Sequence, residues 1–110
     1  MNSGLEKRAV SGTKLREAAG RGELLLVNGG LCRFQHRKDG TLLIRELLVL
    51  PDFRRQGVGR RLVADVLARA RTRIVRVRCS DRGDAAAFWA ALGFRAVATT
   101  EGKTLWAHDG

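Results

Sequence analysis

The stretch Leu47 to Arg61, LLVLPDFRRQGVGRR, leaves this chain few folds to choose from. Leu47-Leu48-Val49-Leu50 is an apolar run with the length and residue types of a buried strand. Pro51 stops it, because proline has no amide hydrogen to offer a ladder. Arg54-Arg55-Gln56-Gly57-Val58-Gly59 then turns the chain, and Gly57 and Gly59 remove two β-carbons where a ligand could come close to the backbone. From Arg60 onward Leu62, Val63, Val66, Leu67 and Ala70 recur on one helical face, with Arg61, Asp65 and Arg69 outside it. The start of that helix aims unpaired N–H groups and the positive end of its dipole at the turn. Amides, dipole and arginines together make a seat for a pyrophosphate.

Two well-known phosphate loops do not fit. A P-loop needs Lys and then Ser or Thr after its last glycine, whereas Gly59 is followed by Arg60-Arg61. A dinucleotide fingerprint needs a third glycine, and Arg60-Arg61-Leu62 supplies none. A third pattern does fit. Val49-x-Pro51 followed by Arg54-x-x-Gly57-x-Gly59 resembles the acetyl-CoA loop of the GNAT superfamily of N-acetyltransferases. Ala87-Phe88-Trp89-Ala90-Ala91-Leu92-Gly93-Phe94 resembles that family's second landmark, an aromatic pair, a short helix end and Leu-Gly-Phe. The resemblance runs from about Thr41 to Phe94 and has the family's spacing. The plain alternative for the first landmark is a strand-to-helix connection with solvated arginines, and the second landmark counts against it.

The resemblance implies that the central strand and the parallel strand after it splay apart, and that the pantetheine arm of acetyl-CoA enters the gap. Carried over by position, the backbone at Leu47, Leu48 and Val49 would hold the pantetheine and polarise the acetyl carbonyl. The amides of Arg55, Gln56, Gly57, Val58, Gly59 and Arg60 would hold the pyrophosphate, with Arg54 at the head of the loop. Backbone contacts need no special side chains, which is why Gln56 and Val58 are tolerated there.

The rest of the chain agrees with one mixed, mostly antiparallel α/β sheet. Ser11 or Thr13 caps a short helix through Ala19, ended by Gly20 and Gly22. Strands follow over 23–27 and 31–36, separated by Asn28-Gly29-Gly30. Arg37-Lys38-Asp39-Gly40 carries a hairpin signal, and the long central strand runs over 41–50. After the helix, 57–71, the segment 73–79 alternates with Val75, Val77 and Cys79 on one face and Arg76 and Arg78 on the other. A helix joins it to the central strand, so the two are parallel. Asp84 caps a helix through Leu92, with Gly93 at its end, and strands over 94–99 and 104–107 close the chain around Glu101-Gly102. A chain of 110 residues is expected to be a single domain, 1–110, with its core at 41–94. Its first third is shorter than the family's, where two helices normally line the acceptor cleft. That implies an open acceptor side, or one completed by a second subunit as in a homodimer.

Lys and Arg number 21 against 11 acids, a net charge of +10. Part of this excess would serve anionic CoA. The remainder is spread along the chain and would attract nucleic acid or an acidic partner, or only keep the protein solvated. The chain has no Tyr, which argues against a base-stacking platform. No apolar run approaches a membrane span, and the first residues lack an apolar signal core, so a cytoplasmic location is expected. Cys32 and Cys79 read as buried free thiols, and no Cys/His spacing suggests a metal.

Acetyl transfer to an amine needs a base for the amine, a donor for the carbonyl and a proton for the thiolate. Glu46, on the same strand face as Leu48, is the candidate base; its alternative is an ion pair with Arg45, Arg76 or Arg78. The family often uses a Tyr as the acid where this chain has Trp89. An indole N–H is no acid at neutral pH, so water would protonate the thiolate. Trp89 reads as a core aromatic on a short helix ahead of any catalytic role. Asp81 and Asp84 follow the parallel strand on the acceptor side, and His36 and His108 read as structural or exposed. The acceptor is expected to be a primary amine, on a protein or other macromolecule rather than a metabolite. The alternatives are a GNAT-fold module that binds CoA without catalysis and a basic nucleic-acid-associated protein.

Overall fold

The hairpin signals are realised in order. In a computed structural model describing residues 12–70, 73–81 and 83–109, Leu24–Val27 (β1), Gly30–His36 (β2) and Leu42–Val49 (β3) form an antiparallel meander. Val75–Ser80 (β4) lies parallel to β3, and the closing hairpin Arg95–Thr100 (β5) and Lys103–His108 (β6) adds to β4 through β6. The sheet order is β1-β2-β3-β4-β6-β5. The helices among the described residues are Gly12–Gly20 (α1), Val58–Ala70 (α2) and Ala85–Ala91 (α3). The fold is the expected mixed α/β sheet.

A bulge in β3 shapes its centre. Pairing runs His36↔Leu42, Gln35↔Leu43 and Phe34↔Ile44, then jumps to Arg33↔Glu46. In an unbroken register Arg33 would oppose Arg45, two like charges; the extra residue replaces Arg45 with Glu46. The bulge also brings Ile44 and Leu47 to the same face, where strict alternation would separate them. The parallel ladder with β4 stops at the same level, after Ile44↔Val77. Beyond it β4 stays paired with β6 through Ser80↔Lys103, while β3 turns away with β2. Residues 46–49 of β3 therefore have no strand on one side.

The core lies on the face carrying Cys32, Phe34, Leu42, Ile44, Val75 and Val77, against Leu62, Val63, Val66 and Ala70 of α2. That helix buries the face its sequence predicts, with Leu67 half-buried. Trp89 and Phe94 extend the core under α3. The end of α3 explains the Leu-Gly-Phe landmark. Gly93 adopts φ 91°, its N–H bonds Ala90 O at 3.1 Å, and Phe94 N–H bonds Trp89 O at 3.1 Å. This is a Schellman cap, and the apolar contact that accompanies such caps is the edge-to-face pair Trp89–Phe94 at 5.0 Å.

Some boundaries differ from expectation. α1 runs on to Gly20, with Thr13 inside it accepting a bond from Arg16, while Ser11 lies outside the described residues. Asp84 stands at the N-cap of α3, but its side chain makes no cap hydrogen bond. Its φ of −94° and ψ of 8° are not the extended geometry a capping side chain needs. Arg71, the expected end of α2, lies outside the described residues. Both cysteines are free, Cys32 buried and Cys79 only half-buried. Burial, reinforced by the charge of Glu46, pushes the Cys32 thiol up to about 12.

Glu23 is a buried acid that sequence periodicity does not single out. Its carboxylate accepts from Arg21 Nε at 2.7 Å and from the backbone N–H of His36 at 2.7 Å, with His36 Nδ1 3.1 Å away. Burial alone would raise its pKa, but these bonds hold it below the usual carboxylate range. A carboxylate depressed in the folded state adds stability above its unfolded value of about 4.3, and loses it as pH falls through the folded value. Glu23→Gln is expected to lower the melting temperature near neutral pH. The gap to wild type should narrow from about pH 5 to about pH 3, as read by thermal unfolding across that range.

Candidate active site

The site starts where β3 ends. Leu50 is extended, as a residue before proline must be, and Pro51–Phe53 form one 3-10 turn. Leu50 N–H bonds Gly29 O at 2.8 Å. A β-carbon at Gly29 would lie 2.2 Å from Phe53 Cγ, so the β1–β2 turn can seat Phe53 only with glycine there. The loop then passes through two left-handed residues, Arg55 at φ 62° and Gly57 at φ 79°. A non-glycine residue in that region is strained and marks a conformation imposed by its surroundings. Among the described residues, the first amide after Arg54 with a backbone partner is Arg61, bonded to Gly57 O at 3.0 Å. The amides of 55–60 remain available, as a helix N-terminus and its preceding turn require for an anion.

Three cavities meet at Phe88. One of about 530 Å³ lies along the loop and is lined by Arg54, Arg55, Gly57, Val58, Gly59 and Arg60. One of about 670 Å³ lies along β3 and is lined by Glu46, Leu47, Leu48, Val49, Arg54 and Gly59, with Leu31 beside Leu48 on β2 and Leu15 of α1. One of about 390 Å³ fills the fork between β3 and β4, beside Arg45, Leu47, Val77, Cys79 and Asp84. Phe88 borders all three, so they form one cleft that runs from the helix amides to the fork. Of the expected site residues only Gln56 borders none; its side chain bonds Asp52 O at 2.9 Å. Arg54 reaches back to Val49 O at 3.3 Å and ties the loop to the strand. Nothing protrudes into the cleft at the glycines. A β-carbon at Gly57 would meet nothing within 4 Å, and one at Gly59 would make ordinary contacts with Phe88 at 3.4 Å and Val49 at 3.6 Å. This cradle of free amides, arginines and bare backbone fits a diphosphate followed by a narrow chain.

Glu46 is held differently from expectation. Its partner is Arg33, not Arg45, Arg76 or Arg78. Arg33 Nε donates to Oε2, and its terminal nitrogen donates to Oε1 at 2.8 Å. Arg33 is buried while Glu46 is 31 % exposed, so the carboxylate reaches the cavity with its position fixed from behind. Each oxygen keeps a lone pair for a further donor. Arg76 instead pairs with Asp39 at 3.6 Å.

Trp89 turns inward. It is 4 % exposed and packs edge-on against Phe88 at 4.9 Å. It and Trp106 lie beside Cys79, and burial pushes that thiol up. The neighbouring Phe88 is the aromatic that faces the cleft. Asp81 accepts a hydrogen bond from Thr104 and plays a structural part. His36 serves Glu23, and His108 packs against Phe94 at 5.1 Å. Among the described residues, no group of three His, Cys, Asp or Glu could hold a metal, and no helix is long and apolar enough to cross a membrane. Sequence reading gave no site role to Arg33 or Phe88, and named Arg45 only as a partner for Glu46. Only Phe88 left a signal, as the first aromatic of its landmark.

The sequence profile of the acetyltransferase (GNAT) domain matches residues 17–96. No curated protein sequence matches the chain. Among solved structures, a protein of the GNAT family from Desulfovibrio desulfuricans superposes with a TM-score of 0.74 at 17% identity, covering 88% of this chain and 75% of the other. The ribosomal-protein-S18-alanine N-acetyltransferase of Escherichia coli gives 0.69 at 22% identity, covering 89% and 76%. The PaiA N-acetyltransferase of Thermoplasma acidophilum, solved with coenzyme A, gives 0.75 at 10% identity, covering 89% and 68%.

Proposed function

Because the chain belongs to the acetyltransferase (GNAT) family, we propose that it is an N-acetyltransferase that moves the acetyl group of acetyl-CoA to a primary amine of a protein or other macromolecule. The observation that carries this reading is the single cleft joining the free amides of 55–60 to the unpaired edge of β3 and to Glu46. Acetyl-CoA supplies an activated thioester when bound. The amides of 55–60 and the guanidinium of Arg54 hold its diphosphate, and the backbone of Leu47, Leu48 and Val49 lines its pantetheine. An N–H on the free edge of β3 donates to the carbonyl oxygen as negative charge grows there. Glu46 takes the proton from the amine as the C–N bond forms and the C–S bond breaks. Water protonates the departing sulfur, since the indole of the inward-turned Trp89 is no acid at neutral pH.

A macromolecular acceptor is favoured by the relative that acetylates an alanine of ribosomal protein S18. A second reading, a module that binds CoA without turnover, is favoured by the inward Trp89. A thiol-release assay with acetyl-CoA and a panel of free-amine peptides separates the two. Acetylation of a peptide, confirmed by mass, is the expected result; CoA binding with no thiol released on any peptide would leave only the module.

A further inference from the structure

A fourth cavity, of about 400 Å³, opens on the sheet face and is walled by Arg37, Arg45, Arg78 and Lys103, with Leu43 and Leu105 on its floor. All four cations are exposed. Among the described residues, none of Arg45, Arg78 and Lys103 forms an ion pair, and the nearby acids are already engaged, Glu46 by Arg33 and Asp39 by Arg76 and Thr41. Arg45 and Arg78 also border the fork between β3 and β4, and Arg45 borders the Glu46 cavity. The basic pocket is thus the outer end of the same cleft. Two features place its cations there. The β3 bulge sets Arg45 beside the fork, and Arg78, Leu105 and Lys103 fall on one face through the pairs Arg78↔Leu105 and Ser80↔Lys103.

Resting on the acetyltransferase reading, we propose that the acceptor is an amine on an acidic peptide, with carboxylates that dock in this pocket while the amine reaches Glu46. Four clustered cations, of which Arg45, Arg78 and Lys103 form no ion pair among the described residues, would repel a lysine-rich or polyamine acceptor and attract acidic side chains. The lining beyond the cations is aliphatic. It suits the methylenes of Asp and Glu side chains and offers no aromatic on which a base could stack, which sets a peptide above a nucleic acid.

The test uses the intact protein saturated with CoA and three peptides labelled at the C-terminus. Each has a free N-terminus followed by a glutamate-rich, a glutamine-rich or an arginine-rich sequence. Fluorescence anisotropy should show the glutamate peptide bound at least about tenfold more tightly than the glutamine peptide, with the arginine peptide weakest. The double variant R37E/K103E changes the two pocket cations that border none of the three cavities meeting at Phe88. It should erase that preference while calorimetric CoA affinity stays at the wild-type value. Equal affinities across the panel would overturn the proposal. So would a labelled single-stranded oligonucleotide that binds more tightly than the glutamate peptide and is lost in R37E/K103E. Failure to bind CoA would instead count against the acetyltransferase reading, and the peptide panel repeated without CoA would still decide the pocket's preference.

Discussion

Gly59→Glu is expected to weaken acetyl-CoA binding at least about 100-fold, a loss of about 2.7 kcal/mol, and to leave the protein folded. Gly59 is in the first turn of α2, and a β-carbon there would meet Phe88 Cζ at 3.4 Å and Val49 Cγ2 at 3.6 Å, contacts that a small ring movement accommodates. Glutamate also suits a helix better than glycine, by roughly half a kcal/mol. Its carboxylate would project into the space between the loop amides and Phe88, the proposed diphosphate seat, and repel that group. Gly57→Glu should lose affinity too, but the residue sits at φ 79°, so that variant adds about 1–3 kcal/mol of backbone strain. Calorimetry beside a thermal melt separates lost binding from lost fold. Wild-type affinity in Gly59→Glu would mean that the diphosphate lies elsewhere.

The second large effect concerns Arg33 and Glu46. Arg33 is 6 % exposed, and its guanidinium is compensated by Glu46 through two bonds. Glu46→Ala strands that charge and is expected to cost about 3–5 kcal/mol of folding stability, a large part of what a domain of this size has. Glu46→Gln keeps the shape and one acceptor oxygen and should cost less. As the proposed base, however, its loss should still lower kcat by about 10²–10⁴ and remove the acidic limb of the pH–rate profile. A double replacement, Arg33→Met with Glu46→Leu, should regain stability, since an apolar pair can replace a buried ion pair, yet stay as slow as Glu46→Gln. If Glu46→Gln kept wild-type turnover and pH profile, Glu46 would be only the counter-ion of Arg33.

The fold was largely legible because its signals are local. The glycine turn, the apolar face of α2, the Asp39-Gly40 hairpin and the Gly93 cap each sit within a few residues of what they cause. The cradle at 55–60 was legible for the same reason, since backbone amides depend on where the helix starts and not on side-chain packing. The catalytic end was not. The partner of Glu46 depends on a one-residue bulge that exchanges Arg45 for Glu46 opposite Arg33, and neighbouring residues do not announce it. The orientations of Phe88 and Trp89 are set by how α3 rolls on the sheet. Trp89 turns into the core and packs on Phe94, a choice that an aromatic pair leaves open. The basic pocket needs β3, β4 and β6 side by side, so the +10 charge alone could not locate it.

The most direct test of the central claim is a calorimetric titration of the wild-type protein with acetyl-CoA at moderate salt, where non-specific attraction to so basic a surface is screened. Saturable binding of one acetyl-CoA per chain, persisting as salt is raised, is the predicted result. Absence of binding, or heats that never saturate and vanish with added salt, would contradict it.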